Sequence, residues 1–138
     1  NVDWDSIDII LGIEAMGIPL AAALCLTSGK PLVIGRKRQY GLPDEVSIDQ
    51  STGYSKGEIY LNDIEQGARV LVVDDVVSTG GTLYPILQAL DGMGAIVQDC
   101  WIVFEKGDGM QKIRSAGNWP LNSLVKIEMQ GEKIVILD

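Results

Sequence analysis

The sequence predicts an α/β fold in which helices flank a central, mostly parallel β-sheet. Short apolar runs alternate with segments of helical pattern, and glycine-bearing turns separate them. The run at residues 70–73 is apolar at every position, as expected for a strand buried on both faces of a parallel sheet. Strands that alternate with helices are typical of parallel α/β architecture. With 138 residues, 46% of them hydrophobic, the chain is long enough for one domain with its own core.

The individual elements follow from local patterns. Pro19 stands near the first turn of an apolar helical segment, and Gly92 and Gly94 close the helix that begins at Thr82, because proline suits the start of a helix and glycine its end. The predicted helices are 19–26, 82–90 and 110–115. The predicted strands are 7–11, 31–34, 45–48, 58–61, 70–73, 96–104, 124–129 and 133–137.

Two pairs of these strands are expected to form hairpins. Strands 124–129 and 133–137 flank a Gln-Gly turn, which predicts a C-terminal hairpin. Strand 45–48 is expected to pair with 58–61, inside a polar segment from residue 36 to residue 57 that lacks helical periodicity. A segment of that length within a compact domain is usually functional or mobile.

Composition excludes several classes of function. Lys and Arg total 11 against 19 Asp and Glu, a net charge of -8, whereas general binding to nucleic acid or to a membrane surface needs a basic face. The chain has no histidine, which excludes a Ser-His-Asp triad and most zinc sites. No apolar run reaches the ~18 residues of a membrane span and no signal peptide opens the chain, so we expect a cytoplasmic protein. Cys25 and Cys100 lie in apolar runs and are expected to be reduced core thiols.

The most informative stretch is VLVVDDVVSTGGT at residues 70–82. A buried strand ends in two adjacent acids, and a Ser-Thr-Gly-Gly-Thr loop then opens a helix. Open α/β sheets bind ligands beyond the carboxyl ends of their strands, and N–H groups at a helix N-terminus form an anion site. The hydroxyls of Ser78, Thr79 and Thr82 add donors, while the paired glycines let the backbone approach a phosphate closely. The stretch therefore predicts a phosphate site.

Asp74 and Asp75 indicate what lies beside that phosphate. Two carboxylates would repel a phosphate unless another group separates them, and a ribose diol meets this requirement because carboxylates accept its two hydroxyl hydrogen bonds. Mg²⁺ is expected nearby. The alternative, a solvated strand end before a glycine-rich turn, leaves the convergence of acids, hydroxyls and glycines unexplained. The patterns GxxxxGK[ST] and GxGxxG are both absent, which argues against a simple nucleotide hydrolase and a dinucleotide-dependent dehydrogenase.

Residues 70–82 resemble the signature by which type I phosphoribosyltransferases bind 5-phosphoribosyl 1-pyrophosphate (PRPP). Residues 14–19, EAMGIP, are similar to the pyrophosphate loop of that family, and RKR at 36–38 with GLP at 41–43 resembles the start of its mobile catalytic loop. Residues 50–61, QSTGYSKGEIYL, are similar to the archaeal hypoxanthine/guanine branch. The resemblance covers nearly the whole chain and implies that residues 1–138 form a single phosphoribosyltransferase core domain.

The resemblance implies roles for the PRPP site. Asp74 and Asp75 would hold the ribose hydroxyls. The residues that would hold the 5′-phosphate are Ser78, Thr79, Gly80, Gly81 and Thr82. Mg²⁺ would bind mainly through PRPP, with no certain side-chain ligand.

The resemblance also implies a pyrophosphate site. The backbone of Ala15, Met16 and Gly17 would face the pyrophosphate, at a place where the family often has a non-proline cis peptide. The cations that would stabilise the departing pyrophosphate are Arg36, Lys37 and Arg38. The alternative for these three is a solvated basic patch after a strand.

A closing lid is expected because water would hydrolyse PRPP. The candidate is the loop from residue 43 to residue 57, with Tyr54, Ser55 and Lys56 at its working end. The alternative is a plain β-hairpin with a polar tip. The expected catalytic residues are Asp74, Asp75, Arg36, Lys37 and Lys56.

The base site is the least defined part. Phe104 ends the predicted strand 96–104, Glu105 and Lys106 follow it, and all three are candidates. The alternative is a core aromatic for Phe104 and ordinary strand-end charges for the other two. Ser78 stands where bacterial and eukaryotic hypoxanthine/guanine enzymes carry an acid near the purine, and Met16 stands where adenine enzymes carry an arginine. The sequence therefore offers no clear proton-transfer residue.

The expected activity is Mg²⁺- and PRPP-dependent transfer of a phosphoribosyl group to a purine in salvage, with hypoxanthine or guanine favoured. The alternatives are an adenine phosphoribosyltransferase and a PRPP-sensing transcription regulator of the same fold. The resemblance implies a homodimer, with neither nucleic acid nor membrane as a partner. It also implies a variable N-terminal hood over the base, which we expect to be missing here.

Overall fold

Strands and helices alternate along the chain as the sequence predicts. The strands are β1 (Ile9–Ile13), β2 (Leu32–Gly35), β3 (Val46–Ser51), β4 (Lys56–Leu61), β5 (Arg69–Val77), β6 (Ile96–Lys106), β7 (Leu121–Gln130) and β8 (Lys133–Leu137). The helices are α1 (Gly17–Ser28), α2 (Leu83–Gly92) and α3 (Gly109–Ala116), and a 3₁₀ turn spans Trp4–Ser6. The structure is a computed structural model that describes residues 1–51 and 56–137.

A mostly parallel sheet forms the centre, with the strand order β2-β1-β5-β6-β7-β8. Neighbouring strands are parallel throughout, except that β8 is antiparallel to β7 at one edge. This arrangement confirms the predicted α/β class. The last two strands pair with each other as expected, but β7 also pairs with β6, so they extend the main sheet.

The connections reverse direction at the centre of the sheet. Helix α1 leads from β1 outward to β2, whereas α2 leads from β5 the other way to β6, and right-handed crossovers in opposite directions place their helices on opposite faces. The α1 side buries Leu71 and Val73, and the other side buries Val70 and Val72. A crevice therefore lies between the carboxyl ends of β1 and β5, the position at which open α/β sheets bind ligands.

Strand β5 is longer than the sequence predicts. The predicted strand ended at Val73, before the two acids, but β5 continues because β6 pairs with it as far as Glu105, opposite Val77. On its other side, β1 pairs with β5 only as far as Val73, opposite Gly12. From Asp74 onward, the β1 side of β5 is therefore open.

The polar segment forms a separate two-stranded sheet. Strands β3 and β4 are antiparallel, with Val46 opposite Leu61 and Ser51 opposite Lys56. The predicted pairing of 45–48 with 58–61 lies within this ladder. A single bridge between Arg36 and Tyr60 joins the hairpin to the end of β2.

Two further expectations concern membranes and cysteines. Across residues 1–51 and 56–137, no helix combines the length and the apolar character that crossing a membrane requires. Both cysteines are free; Cys100 is buried and Cys25 partly buried. Their predicted state as core thiols is confirmed.

Candidate active site

The loop between β5 and α2 is shaped to receive an anion. Gly80 has φ +83°, a left-handed conformation that glycine adopts readily. The Gly81 N–H donates to Thr79 Oγ1 at 3.2 Å, and the Tyr84 N–H donates to the Gly80 carbonyl oxygen at 3.0 Å. Within the described part of the chain, no side chain caps the N-terminus of α2. Apart from the Tyr84 N–H, the first N–H groups of the helix are therefore available to a phosphate.

Helix α3 supports this phosphate loop through Gly109. The Gly109 N–H donates to the Ser78 carbonyl oxygen at 3.0 Å. A Cβ at position 109 would lie 2.3 Å from that oxygen and 2.6 Å from the carbonyl carbon of Thr79, so only glycine fits. No pattern in the sequence singles out Gly109, apart from the neighbouring turn at Gly107 and Asp108.

Asp74 lies at the open edge of β5, next to the N-terminus of α1. The residue is 9% exposed, and its Oδ1 accepts the N–H of Asp75 at 2.9 Å. A Cβ at Gly17 would lie 2.9 Å from the Val73 carbonyl oxygen and 3.0 Å from Asp74 Oδ1. Gly17 therefore lets helix α1 approach the acid closely.

The environment of Asp74 makes it a weaker acid than usual. Burial raises the pKa of its carboxyl to about 7; the hydrogen bond from the Asp75 N–H opposes this rise, the negative charge of Asp75 adds to it, and the charge of Lys37 opposes it weakly. Because Asp74 binds a proton near neutral pH, the repulsion within the pair is reduced.

We expect the raised pKa of Asp74 to make the free energy of unfolding depend on pH. A carboxyl whose pKa is raised from 3.8 to about 7 on folding makes unfolding progressively easier as the pH rises from 4 to 7, because the folded state then binds more protons than the unfolded state. Asparagine does not titrate, so Asp74→Asn lacks this pH dependence. The free energy of unfolding of Asp74→Asn minus that of the wild type should therefore be larger at pH 8 than at pH 5, by on the order of 2 kcal/mol. Urea denaturation at both pH values measures the difference, and a pH-independent difference would show that Asp74 has an ordinary pKa.

The predicted pyrophosphate loop lies at the carboxyl end of β1. The peptide bond between Glu14 and Ala15 is cis, at the place where the resemblance implies one. Glu14 Oε2 accepts the N–H of Lys37 at 2.6 Å. This bond joins the loop to the basic segment after β2, residues 36–38. Ala15 and Met16 are exposed, and Gly17 is buried.

The three cations of the basic segment have different environments. Lys37 and Arg38 are exposed, so they are available to a ligand. Arg36 is 9% exposed, and its Nη2 donates to Glu45 Oε2 at 2.9 Å. Lys37 and Arg38 thus have exposed side chains, whereas Arg36 is held in an internal ion pair.

Comparison with known proteins identifies the family to which the chain belongs. The family model described as "Phosphoribosyl transferase domain" matches residues 1–118. The chain belongs to the phosphoribosyl transferase family. Similar curated proteins include the hypoxanthine/guanine phosphoribosyltransferase of Ferroglobus placidus, 53% identical over 132 residues, 96% of this chain and 70% of that protein. The protein of the same name from Methanothrix thermoacetophila is 49% identical over 128 residues, 93% and 67% of the two chains.

A solved structure agrees with this family. The adenine phosphoribosyltransferase of Thermoanaerobacter pseudethanolicus has a TM-score of 0.76 to this chain at 27% identity, covering 87% of this chain and 70% of that one. The α/β fold of the phosphoribosyl transferase family is therefore present here, with its central parallel sheet and flanking helices.

The base-site candidates of this phosphoribosyl transferase lie at the carboxyl end of β6. Phe104 is 41% exposed and Lys106 is partly buried. The buried Glu105 accepts hydrogen bonds from Ser123 Oγ at 2.6 Å and Arg114 Nη1 at 3.2 Å. Burial alone would raise the pKa of Glu105, but these two hydrogen bonds hold it below its ordinary value. Glu105 thus joins β6 to β7 and α3, and its contact with a base stays a prediction.

The predicted lid is only partly described. Tyr54 and Ser55 lie outside the described residues, and of Lys56 only the backbone is described, at the start of β4. The hairpin below them is attached to the phosphate loop, because Thr82 Oγ1 donates to Gln50 Oε1 at 2.7 Å. A cleft of about 750 Å³ lies between the hairpin, the phosphate loop and α3. Gln50 is the first residue of the stretch at 50–61 that carries the family resemblance, but no pattern in the sequence predicts its contact with Thr82.

Proposed function

We propose that this protein transfers the 5-phosphoribosyl group of PRPP to hypoxanthine or guanine, releasing pyrophosphate. The observation that carries the proposal is the juxtaposition of the acid pair with the uncapped N-terminus of α2, at the crevice between β1 and β5. A ribose phosphate is bound by both groups, because its hydroxyls donate to the acid pair and its phosphate accepts from the helix N-terminus. The preference for hypoxanthine and guanine is supported by the names of the relatives at 53% and 49% identity.

The residues of the crevice divide the work of binding PRPP. Asp74 and Asp75 accept the hydrogen bonds of the ribose hydroxyls, and the N–H groups and hydroxyls of residues 78–82 bind the 5′-phosphate. Lys37 and Arg38 lie beside the cis-peptide loop and neutralise the departing pyrophosphate. Because positive charge develops on the ribose and negative charge on the pyrophosphate, positioned charges of both signs lower the barrier.

The acid pair also suits a Mg²⁺ ion carried in by PRPP. Within residues 1–51 and 56–137, no group of three or more Asp, Glu, Cys or His side chains is placed to hold a metal. Mg²⁺ commonly keeps several waters and binds through one or two carboxylates together with substrate phosphates, which fits the two acids here. When bound, Mg²⁺ would supply positive charge to the pyrophosphate oxygens.

Several finer features belong to the same proposal. Lys56 and the β3–β4 hairpin would cover the bound PRPP and exclude water, and Phe104 and Lys106 would face the purine. A homodimer and a cytoplasmic location complete it.

Adenine is the second candidate base. The observation in its favour is the likeness to a solved adenine phosphoribosyltransferase, at 27% identity. That identity is about half of the 53% shared with the relative from Ferroglobus placidus, so hypoxanthine and guanine remain the favoured bases.

The proposal predicts PRPP- and Mg²⁺-dependent formation of IMP or GMP. Adenine, hypoxanthine, guanine, xanthine and orotate are incubated separately with PRPP and the protein, the nucleotides are identified by chromatography, and EDTA provides the metal-free control. AMP as the sole product would show that the protein is an adenine phosphoribosyltransferase. PRPP binding without any product would indicate a sensor of PRPP, and a lack of both would contradict the assignment of residues 74–82.

A further inference from the structure

The guanidinium of Arg36 is bound by other residues of the protein. Its residue exposure is only 9%, although it begins the basic segment. Its Nη2 donates to Glu45 Oε2 at 2.9 Å and to Asn62 Oδ1. Its Nη1 donates to the carbonyl oxygen of Arg38 at 3.2 Å. These bonds engage both terminal nitrogens of the guanidinium, and the Glu45 carboxylate neutralises its charge.

The partners of Arg36 also bind the backbone of the residues that follow the three cations at 36–38. The Glu45 carboxylate also accepts the N–H of Tyr40 at 3.1 Å and that of Gly41 at 3.2 Å, and the Tyr40 ring lies 4.2 Å from the Arg36 guanidinium carbon. Asn62 Nδ2 donates to the carbonyl oxygen of Pro43 at 3.0 Å. Residues 38–45 are therefore wrapped around one buried guanidinium.

The same segment is attached to the pyrophosphate loop at its other end. The Lys37 N–H donates to Glu14 Oε2 at 2.6 Å, next to the cis peptide bond. Lys37 and Arg38 are thereby held between two fixed points, with their side chains exposed. A displacement of about 1 Å in a charged group can weaken catalysis about 100-fold, so this attachment matters for any anion that the two cations bind.

We infer that Arg36 is a positioning residue, which fixes Lys37 and Arg38 against the pyrophosphate loop through Glu45 and Asn62, and does not itself bind pyrophosphate. This inference rests on the proposed function and replaces the expectation that Arg36 contacts the leaving group. Arginine suits the position because its planar fork donates to several acceptors at once. A lysine has one nitrogen and cannot reproduce the set.

Arg36→Met and Glu45→Gln separate positioning from direct binding. If Arg36 acts through Glu45, both variants should raise the KM for PRPP and the inhibition constant of pyrophosphate about tenfold, while the KM for the purine stays within about twofold. If Arg36 binds pyrophosphate directly, Glu45→Gln should leave both constants unchanged, and this result would overturn the inference. Arg36→Lys should recover less than half of the loss.

Arg69→Met is the matched control. Arg69 forms an ion pair of 2.8 Å with Asp8 at the start of β5, the end of the strand away from the crevice. Its removal should leave the KM for PRPP unchanged, although it also deletes an arginine–carboxylate pair, one that is half-exposed. A rise equal to that of Arg36→Met would show a general effect of destabilisation and would overturn the inference.

Amide hydrogen exchange gives a readout that does not depend on activity. Arg36→Met and Glu45→Gln should speed the exchange of the Lys37, Tyr40 and Gly41 N–H groups at least tenfold and leave β5 unchanged, with Arg69→Met as for the wild type. Unchanged exchange at these three amides would overturn the inference. A wild type that forms no nucleotide would refute the proposed function, and the exchange rates would still decide whether Arg36 fixes the segment.

Discussion

Replacing Asp75 with asparagine is expected to lower kcat/KM for PRPP by about 100-fold or more. Asp75 lies on the stretch of β5 that has no β1 neighbour, so its carboxylate can reach a ribose hydroxyl. Asparagine keeps the size of the side chain and one acceptor, but loses the charge that strengthens the hydrogen bond. Initial rates at varied PRPP, with hypoxanthine saturating, measure the effect.

Glu65→Gln is the control for the Asp75 variant. Glu65 is exposed and lies between β4 and β5, away from the crevice, so the same loss of charge should leave kcat/KM within about twofold of the wild type. Equal activity of the two variants would contradict the assignment of Asp75 to the ribose. Equal loss in both would mean that net charge, and not the site, determines the rate.

Replacing Gly109 with alanine is expected to lower the affinity for ribose 5-phosphate at least tenfold. The added Cβ would lie 2.3 Å from the Ser78 carbonyl oxygen and 2.7 Å from the Gly80 nitrogen. These are backbone atoms of the phosphate loop, so the loop or helix α3 has to move. Overpacking of this kind costs about 1–3 kcal/mol of stability. Calorimetric titration with ribose 5-phosphate and the melting temperature measure the two effects.

Gly92→Ala is the matched control for Gly109→Ala. A Cβ at Gly92, the last residue of α2, meets no atom within 4 Å, so affinity and melting temperature should stay close to those of the wild type. A Gly109→Ala protein that binds ribose 5-phosphate normally would show that the loop does not hold the phosphate, or that α3 yields without cost.

The parts of the site that the sequence could predict are local. The acids and the phosphate loop follow one another within residues 74–82, so their spacing along the chain already indicates their chemistry. Strand alternation and glycine placement likewise identified the three helices and eight strands that the described residues form, but not the order of the strands in the sheet. The end of β5 was missed because it depends on which neighbour continues beside it, and that is a property of the sheet.

The burial of Arg36 could not be predicted for a similar reason. Its partners Glu45 and Asn62 lie 9 and 26 residues further along the chain, and no pattern in the sequence pairs them with it. As one member of a run of three cations, Arg36 is equivalent to Lys37 and Arg38 in sequence. The turn of the chain after β2 distinguishes them, by directing one guanidinium inward and leaving the other two cations outside.

The parallel pairing of β1 with β5, in which Ile9 lies opposite Val70, has a consequence for folding. The segment that contains α1, β2 and the β3–β4 hairpin separates these neighbours, so their union closes a long loop, and such non-local pairings make folding slow. During synthesis, the edge of β1 that pairs with β5 stays unpaired until β5 has been synthesised. The crevice forms at this late junction. A ligand that contacts both the cis-peptide loop and the acid pair therefore holds β1 and β5 together. Such a ligand should slow the separation of these two strands.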